Sequence, residues 1–140
     1  MKKYVCKLIF TPFSINQKFR KKEKSMNKKL ETVIKALDSK KAVEITALEV
    51  GSLTIVADYF VIAAGTSNTQ VRALADEVEY QMGLHGYTVR QVEGKATGWI
   101  LLDYHDIVVH VFLQDQREYY NLEKLWADAT PMDISSLVTD

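Results

Sequence analysis

Apolar positions along this chain keep three rhythms, and each change of rhythm marks an element. Leu30, Val33, Ile34 and Leu37 recur at i, i+3, i+4, i+7, which predicts a helix over Asn27–Lys40 with one buried face. Ser39-Lys40-Lys41 places cations at its C-terminal end, where the aligned peptide dipoles favour them. The period then drops to two. Val43, Ile45 and Ala47 alternate with Glu44 and Thr46, predicting a half-buried strand over Ala42–Leu48. Glu49–Ala57 reads as a connection, with a turn at Gly51-Ser52 packed through Leu53 and Ile55. Tyr59–Ala64 is apolar throughout, the pattern of a central strand covered on both faces. Ser67 followed by Gln70 is a capping box. It opens a second helix that buries Val71, Leu74, Ala75, Val78 and Met82, with Gly83 and Gly86 as its exit signals.

Tyr87–Val92 is the third strand. Strand, helix and strand in that order predict a right-handed crossover that leaves the second and third strands parallel. Two further apolar runs, Gly98–Asp103 and Ile107–Leu113, are joined by Tyr104-His105-Asp106, which is long enough only for a hairpin turn. One phase of the first run carries Ile100 and Leu102; the other carries Trp99 and Leu101. A last helix over Asp115–Ala127 turns Tyr119, Leu122, Leu125 and Trp126 inward and stops at Thr130-Pro131. Residues 131–140 read as a tail with Leu137-Val138 as its anchor. The order is α-β-β-α-β-β-β-α. This is an α/β domain over residues 26–130, a single mixed five-stranded sheet with helices packed on it.

Composition narrows the class. A length of 140 residues suits one domain, and an apolar share of 47% suffices for a core. No run approaches the ~18 apolar residues of a membrane span. Cys6 is the only cysteine, so neither a disulfide framework nor a thiolate metal site is expected, and a reducing cytoplasmic setting fits. The zero net charge hides an asymmetry. Residues 1–25 carry a net +7 and residues 26–140 a net −7. The first segment is a basic extension, or the product of a start upstream of Met26; Lys7 interrupts its apolar run, against a signal peptide. An acidic domain is a poor match for nucleic acid and a better one for a basic protein.

Little in the chain resembles catalysis. His85, His105 and His110 have no second His or Cys at ligand spacing, and His110, set among Val and Phe, reads as a buried histidine bonded to a neighbour. Ser67 has no adjacent base, and its capping role explains it. Gly65-Thr66-Ser67 with Asp76, Glu77 and Glu79 faintly suggests a nucleotidyltransferase, but those acids fall inside a helix, where they cannot hold two metals. No catalytic residue, metal ligand or cofactor is expected. The stronger feature is a surface. Trp99 and Leu101 share a strand phase, with Lys95 ahead and Asp103 and Tyr104 behind, and Trp is enriched at interface centres. The other reading of Trp99 is ordinary core beneath the last helix.

Several short motifs, in order, carry a family resemblance. They are Ala57-Asp-Tyr-Phe-Val-Ile62, Gly65-Thr-Ser67, Gln70-Val71, Glu93-Gly94, Gly98-Trp99, Leu101-Leu-Asp103, Asp106-Ile-Val-Val-His-Val-Phe112 and Arg117-Glu-Tyr-Tyr-Asn-Leu-Glu-Lys-Leu-Trp126. Each is weak alone; as an ordered set from about Leu30 to Ala127 they resemble the ribosomal silencing factor family, the RsfS or Iojap-like group. The resemblance implies a nucleotidyltransferase-like fold without the catalytic acids, and no enzymatic activity. It implies binding to the large ribosomal subunit through ribosomal protein L-fourteen, a steric block to small-subunit joining that represses translation under nutrient limitation, a part in large-subunit biogenesis, and a homodimer in the free state. By position it makes Trp99 the main anchor, Leu101 and Tyr104 the extension of its patch, and Lys95 and Asp103 the rim. One departure stands out: many members place Gly in the hairpin turn where this chain has His105, so a positive φ there would strain the residue.

Overall fold

The computed structural model describes residues 28–95 and 97–138; the basic extension of residues 1–25 lies outside the described residues. The elements are α1 (Lys28–Ser39), β1 (Val43–Glu49), β2 (Tyr59–Gly65), α2 (Asn68–Leu84), β3 (Gln91–Glu93), β4 (Trp99–Asp103), β5 (Ile107–Leu113), α3 (Gln114–Tyr120), α4 (Leu122–Leu125) and β6 (Thr130–Pro131). Among the described residues they build one mixed sheet of six strands rather than five, in the order β3-β4-β5-β2-β1-β6. The sixth is the short β6, which pairs Thr130 with Glu49 at the outer edge of β1.

The two most apolar strands take the centre. β2 and β5 run parallel from Tyr59 opposite Ile107 to Gly65 opposite Leu113. β1 flanks β2 and β4 flanks β5, both antiparallel. The predicted crossover needs correction. β2 and β3 do point the same way, because β3 opposes β4, β4 opposes β5, and β5 runs with β2. They are not neighbours. The seat beside β2 goes to β5, whose run from Ile107 to Phe112 is wholly buried, and the three-residue β3 with its polar Gln91 and Glu93 is left at the edge.

Both faces of the sheet are covered. On one, Leu30, Val33, Ile34 and Leu37 of α1 and the predicted apolar stripe of α2 pack on Val61, Ala63, Ile100, Leu102, Val109 and Val111. On the other, Leu122 and Trp126 lie over Phe60, Ile62, Trp99, Leu101 and Phe112, and the β1–β2 loop contributes Leu53 and Val56. A four-residue helix such as α4 has no stability alone. It exists because burying Leu122 and Trp126 contributes roughly 1.5–3 kcal/mol per large apolar side chain. Residues beyond β6 also return to the core: Met132, Ile134, Leu137 and Val138 pack on the α1/α2 side.

Three local devices fix the frame. Ser67 caps α2 by accepting from the Gln70 amide at 3.1 Å, while Gln70 Oε1 takes the Thr66 amide at 2.7 Å, one residue before the usual target of a capping box. α2 passes through Gly83 and stops at Gly86, which adopts φ 84. The last helix breaks in two at Asn121, φ 45, which closes α3 and whose side chain accepts from the Lys124 amide to open α4.

A candidate docking surface

The strand expected to present an anchor presents none. Trp99 keeps 3% of its surface, and Leu101, Asp103 and Tyr104 are buried with it; of the five residues singled out from sequence only Lys95 is exposed. Nor does the fold gather them. Trp99 and Leu101 lie under α3 and α4, whereas Tyr104 packs into the opposite face. Its burial, and then the nearby Glu79 carboxylate, push the phenol pKa up. Asp103 is held between Arg90, whose Nη2 donates to Oδ2 at 2.9 Å, and the His105 amide, which donates to Oδ1 at 2.8 Å. Lys95 sits 3.8 Å from Glu79 on α2, on the other side of the sheet from Trp99. His105 has φ 85, the left-handed conformation that glycine adopts most readily.

The cover over Trp99 is Tyr120, whose ring lies 4.4 Å from the indole. Beneath, the indole Nε1–H donates to His110 Nδ1 at 3.2 Å. That bond assigns a neutral imidazole with its proton on Nε2. The ring is packed by Phe60 at 5.0 Å and Phe112 at 6.2 Å, and burial drives its pKa down to about 3. The sequence reading of His110 as a bonded core histidine therefore stands. His110 Nε2 and Trp126 Nε1 find no hydrogen-bond partner among the described residues.

From Tyr120 the aromatic column continues outward. Tyr119 meets Tyr120 edge-on at 5.1 Å and is 79% exposed. Leu125, on the same helix pair, is 50% exposed. Both were expected to face inward. A helix unbroken through residue 121 would bury them with Leu122 and Trp126; the break rotates Tyr120 in and Tyr119 out. The signal was Asn121 itself, since Asn is the residue that most readily joins Gly in the left-handed region. Asp115, Glu118 and Asp128 on this segment are exposed, and so is Lys124 beside Leu125. Arg117, the buried cation of α3, is consumed internally: it donates to the Val43 and Glu44 carbonyls at 3.2 and 2.7 Å and pairs with Glu123. That clamp fixes the irregular start of β1, where Glu44 has φ 47 and the register shifts.

The enzyme-like features do not converge. Asp76 and Glu79 lie about 13 and 18 Å along the α2 axis from Ser67, at 1.5 Å per residue. Glu77 accepts from Gln81 at 2.8 Å, and Glu79 faces Lys95. At the α2 N-terminus, where a phosphate would seek amides, the Gln70 amide is taken by Ser67 Oγ, and Gln70 Oε1 closes back on the Thr66 amide and hydroxyl. The groove at the carboxyl ends of β2 and β5, about 270 Å³, is lined by Ala64, Gln114 and Arg117, whose two Nη groups are already engaged. Among the described residues no group of three His, Cys, Asp or Glu could hold a metal, and no helix is long and apolar enough to cross a membrane.

Fold and site together define a class: an α/β domain on one mixed sheet, closed on both faces, with an exposed Tyr119 and Leu125 on the helix pair that covers the second face. The sequence model of the family described as "Ribosomal silencing factor during starvation" matches residues 23–140. The chain is 46% identical over 112 residues to ribosomal silencing factor RsfS of Bacillus subtilis, an alignment covering 78% of this chain and 95% of that protein. It is 39% identical over 111 residues to the RsfS of Halalkalibacterium halodurans, covering 79% and 95%. In fold it resembles the crystal structure of a Chromobacterium violaceum protein with a TM-score of 0.70 at 35% identity, covering 73% of this chain and 88% of that one. The chain belongs to the RsfS family of ribosomal silencing factors.

Proposed function

We propose that this chain is a silencing factor that works without catalysis. It docks on the large ribosomal subunit through ribosomal protein L-fourteen and, by occupying space there, keeps the small subunit from joining, which lowers translation when nutrients are short. Family membership supports the role. The observation that carries the site is Tyr119, 79% exposed yet braced on Tyr120 and Trp99. A large, rigid, amphipathic ring loses little entropy on docking and is enriched where binding energy concentrates. The net charge of −7 on residues 26–140 suits a basic ribosomal protein and disfavours bare RNA. A contact of about 800 Å² per partner suffices for a specific complex.

In this reading Trp99 and Leu101 act from beneath, by holding the plane of Tyr120. Asp103 and Tyr104 set the hairpin, and Lys95 ties its loop to α2. The exposed tip also gives two free copies a way to pair, so a homodimer and the ribosome complex compete. A role in large-subunit assembly and a nucleotidyltransferase-like fold without the catalytic acids belong to the same reading, as does a cytoplasmic site of action. The test is joining of purified subunits, followed by sedimentation. Saturating protein is expected to keep the subunits apart, and Tyr119→Ser to restore joining while remaining folded. Unimpaired joining at saturation would sink the proposal.

A further inference from the structure

The second face of the sheet has two covers, and only one of them is the helix pair. The other is the loop between β1 and β2. Its base is closed by the Val50 and Gly51 amides, which both donate to the Asp58 carbonyl, at 2.8 and 3.1 Å. The base is tight: a Cβ on Gly51 would lie 3.1 Å from Asp58 Oδ1. Within the loop, the Leu53 and Thr54 amides donate to the Val50 carbonyl at 2.9 and 3.1 Å, and the Val56 amide donates to Thr54 Oγ1 at 3.1 Å. Val50, Thr54 and Ala57 are buried, and Leu53 and Val56 pack on the cluster that holds Phe60, Leu122 and Trp126. Ile55 is the exception. With neighbours fastened inward on either side, it stands 73% exposed.

A single exposed isoleucine needs no explanation in general. This one differs in three respects. The loop's own hydrogen bonds fix its exposure, so it cannot be relieved by turning inward without undoing them. It lies on the Tyr119 side of the sheet, because the loop and α4 share one apolar cluster and β6 pairs Thr130 with Glu49 at the loop's start. And from Glu49 to Asp58 the chain has no Lys or Arg, with a carboxylate at each end. The loop thus presents an apolar tip above a base that carries the Glu49 and Asp58 carboxylates and no cation.

We infer that the β1–β2 loop is a second docking element for the same basic ribosomal protein, with Ile55 as its tip. This rests on the docking reading above and extends its footprint from the α3/α4 pair across to the loop. The partner it fits is a cationic protein surface with two separate apolar sockets, one for Tyr119 towards the carboxyl ends of β2 and β5 and one for Ile55 towards the start of β2.

The experiment measures binding of the full chain to purified large subunits by co-sedimentation over a concentration series. The variants are Ile55→Ser, Ile55→Lys, Tyr119→Ser, and Leu84→Ser, an exposed apolar residue on α2 across the sheet. Ile55→Ser is expected to weaken binding on the order of tenfold. Ile55→Lys weakens it further by setting like charges together, and Leu84→Ser leaves it unchanged. Thermal midpoints are expected to stay within about 2 °C of the parent because these side chains lie outside the core. Ile55→Ser carries the test if the lysine variant folds poorly. Loss with Tyr119→Ser but parent-like binding by both Ile55 variants overturns the second element and leaves the first. Parent-like binding by all three removes both. Equal loss from Leu84→Ser and Ile55→Ser also overturns it, since the loop then has no distinct role.

Discussion

Acidification should destabilise this domain through one residue, and the size of the effect follows from where His110 sits. Its ring is enclosed by Phe60, Trp99 and Phe112, and its pKa in the folded chain is about 3, against an ordinary 6.5. Below about pH 6.5 the unfolded chain takes up a proton that the folded chain refuses, so unfolding is favoured increasingly as pH falls towards the folded value. At about pH 5 the gap is roughly 1.5 pH units, worth about 2 kcal/mol relative to neutral pH. That is a large share of a typical total of about 5–15 kcal/mol. The assay is urea unfolding of parent and His110→Asn at about pH 7.5 and about pH 5. Asn Oδ1 can stand in for Nδ1 as acceptor of the Trp99 indole N–H. The cavity left by replacing the imidazole with the smaller amide destabilises the variant by roughly 1–3 kcal/mol at both pH values, which cancels in the comparison. The parent is expected to lose about 2 kcal/mol more than the variant on acidification. Tryptophan fluorescence should follow global unfolding only, because the folded imidazole stays neutral and keeps its bond to Trp99 across this range. Equal losses in the two proteins, within about 0.5 kcal/mol, would refute the reasoning and assign the acid sensitivity to carboxylates.

Three further outcomes follow from the packing. Trp99→Phe keeps a ring under Tyr120 but leaves His110 Nδ1 without its donor, so it should cost about 1–3 kcal/mol by urea unfolding. Trp99→Ala should cost about 3–5 kcal/mol and lose subunit binding through loss of fold. Arg117→Met strands the Val43 and Glu44 carbonyls and the Glu123 carboxylate, for an expected loss of about 2–4 kcal/mol. Arg117→Lys should recover less than half, because an ammonium cannot reach all of these with one planar fork. At φ 85, His105→Gly trades backbone strain for unfolded-state entropy and should leave the thermal midpoint near the parent's. His105→Val should lose about 1–2 kcal/mol, since a β-branched residue is the worst tenant of that conformation.

Local pattern was a good guide wherever the physics was local. The α1 stripe of Leu30, Val33, Ile34 and Leu37 is fully buried, and Ser67 caps α2 as its spacing implied. What the pattern could not show was neighbourhood. Tyr87–Val92 reads as a strand, yet pairing begins at Gln91, and its partner is β4. Which strand sits beside β2 depends on which can be buried on both sides, and that is a competition among distant segments. Trp99 failed for a related reason. Strand alternation correctly separated Trp99 and Leu101 from Ile100 and Leu102. It could not say whether later chain would close over the second face. Ile55 shows the same limit from the other side: it was expected to pack with Leu53, but Val56 takes the inner place.

The break at Asn121 ties these failures together. In one continuous helix, at about 100° per residue, Tyr119 would share the inward face with Leu122 and Trp126, and Tyr120 would point to solvent. Trp99 would then lose the ring that now lies 4.4 Å above it. One left-handed residue reverses the two tyrosines. Tyr120 closes the core over Trp99, and Tyr119 becomes the exposed tip, supported through Tyr120 and Trp99 by His110 on a central strand. Closing the sheet and presenting the tip are therefore one structural event, not two. A substitution at Trp99 that weakens docking is for that reason no evidence that Trp99 touches a partner, because Trp99 is buried and its loss frees the plane of Tyr120. Under the docking proposed above, the tyrosine that should carry contact energy is the one whose removal leaves folding unchanged, which is the exposed Tyr119.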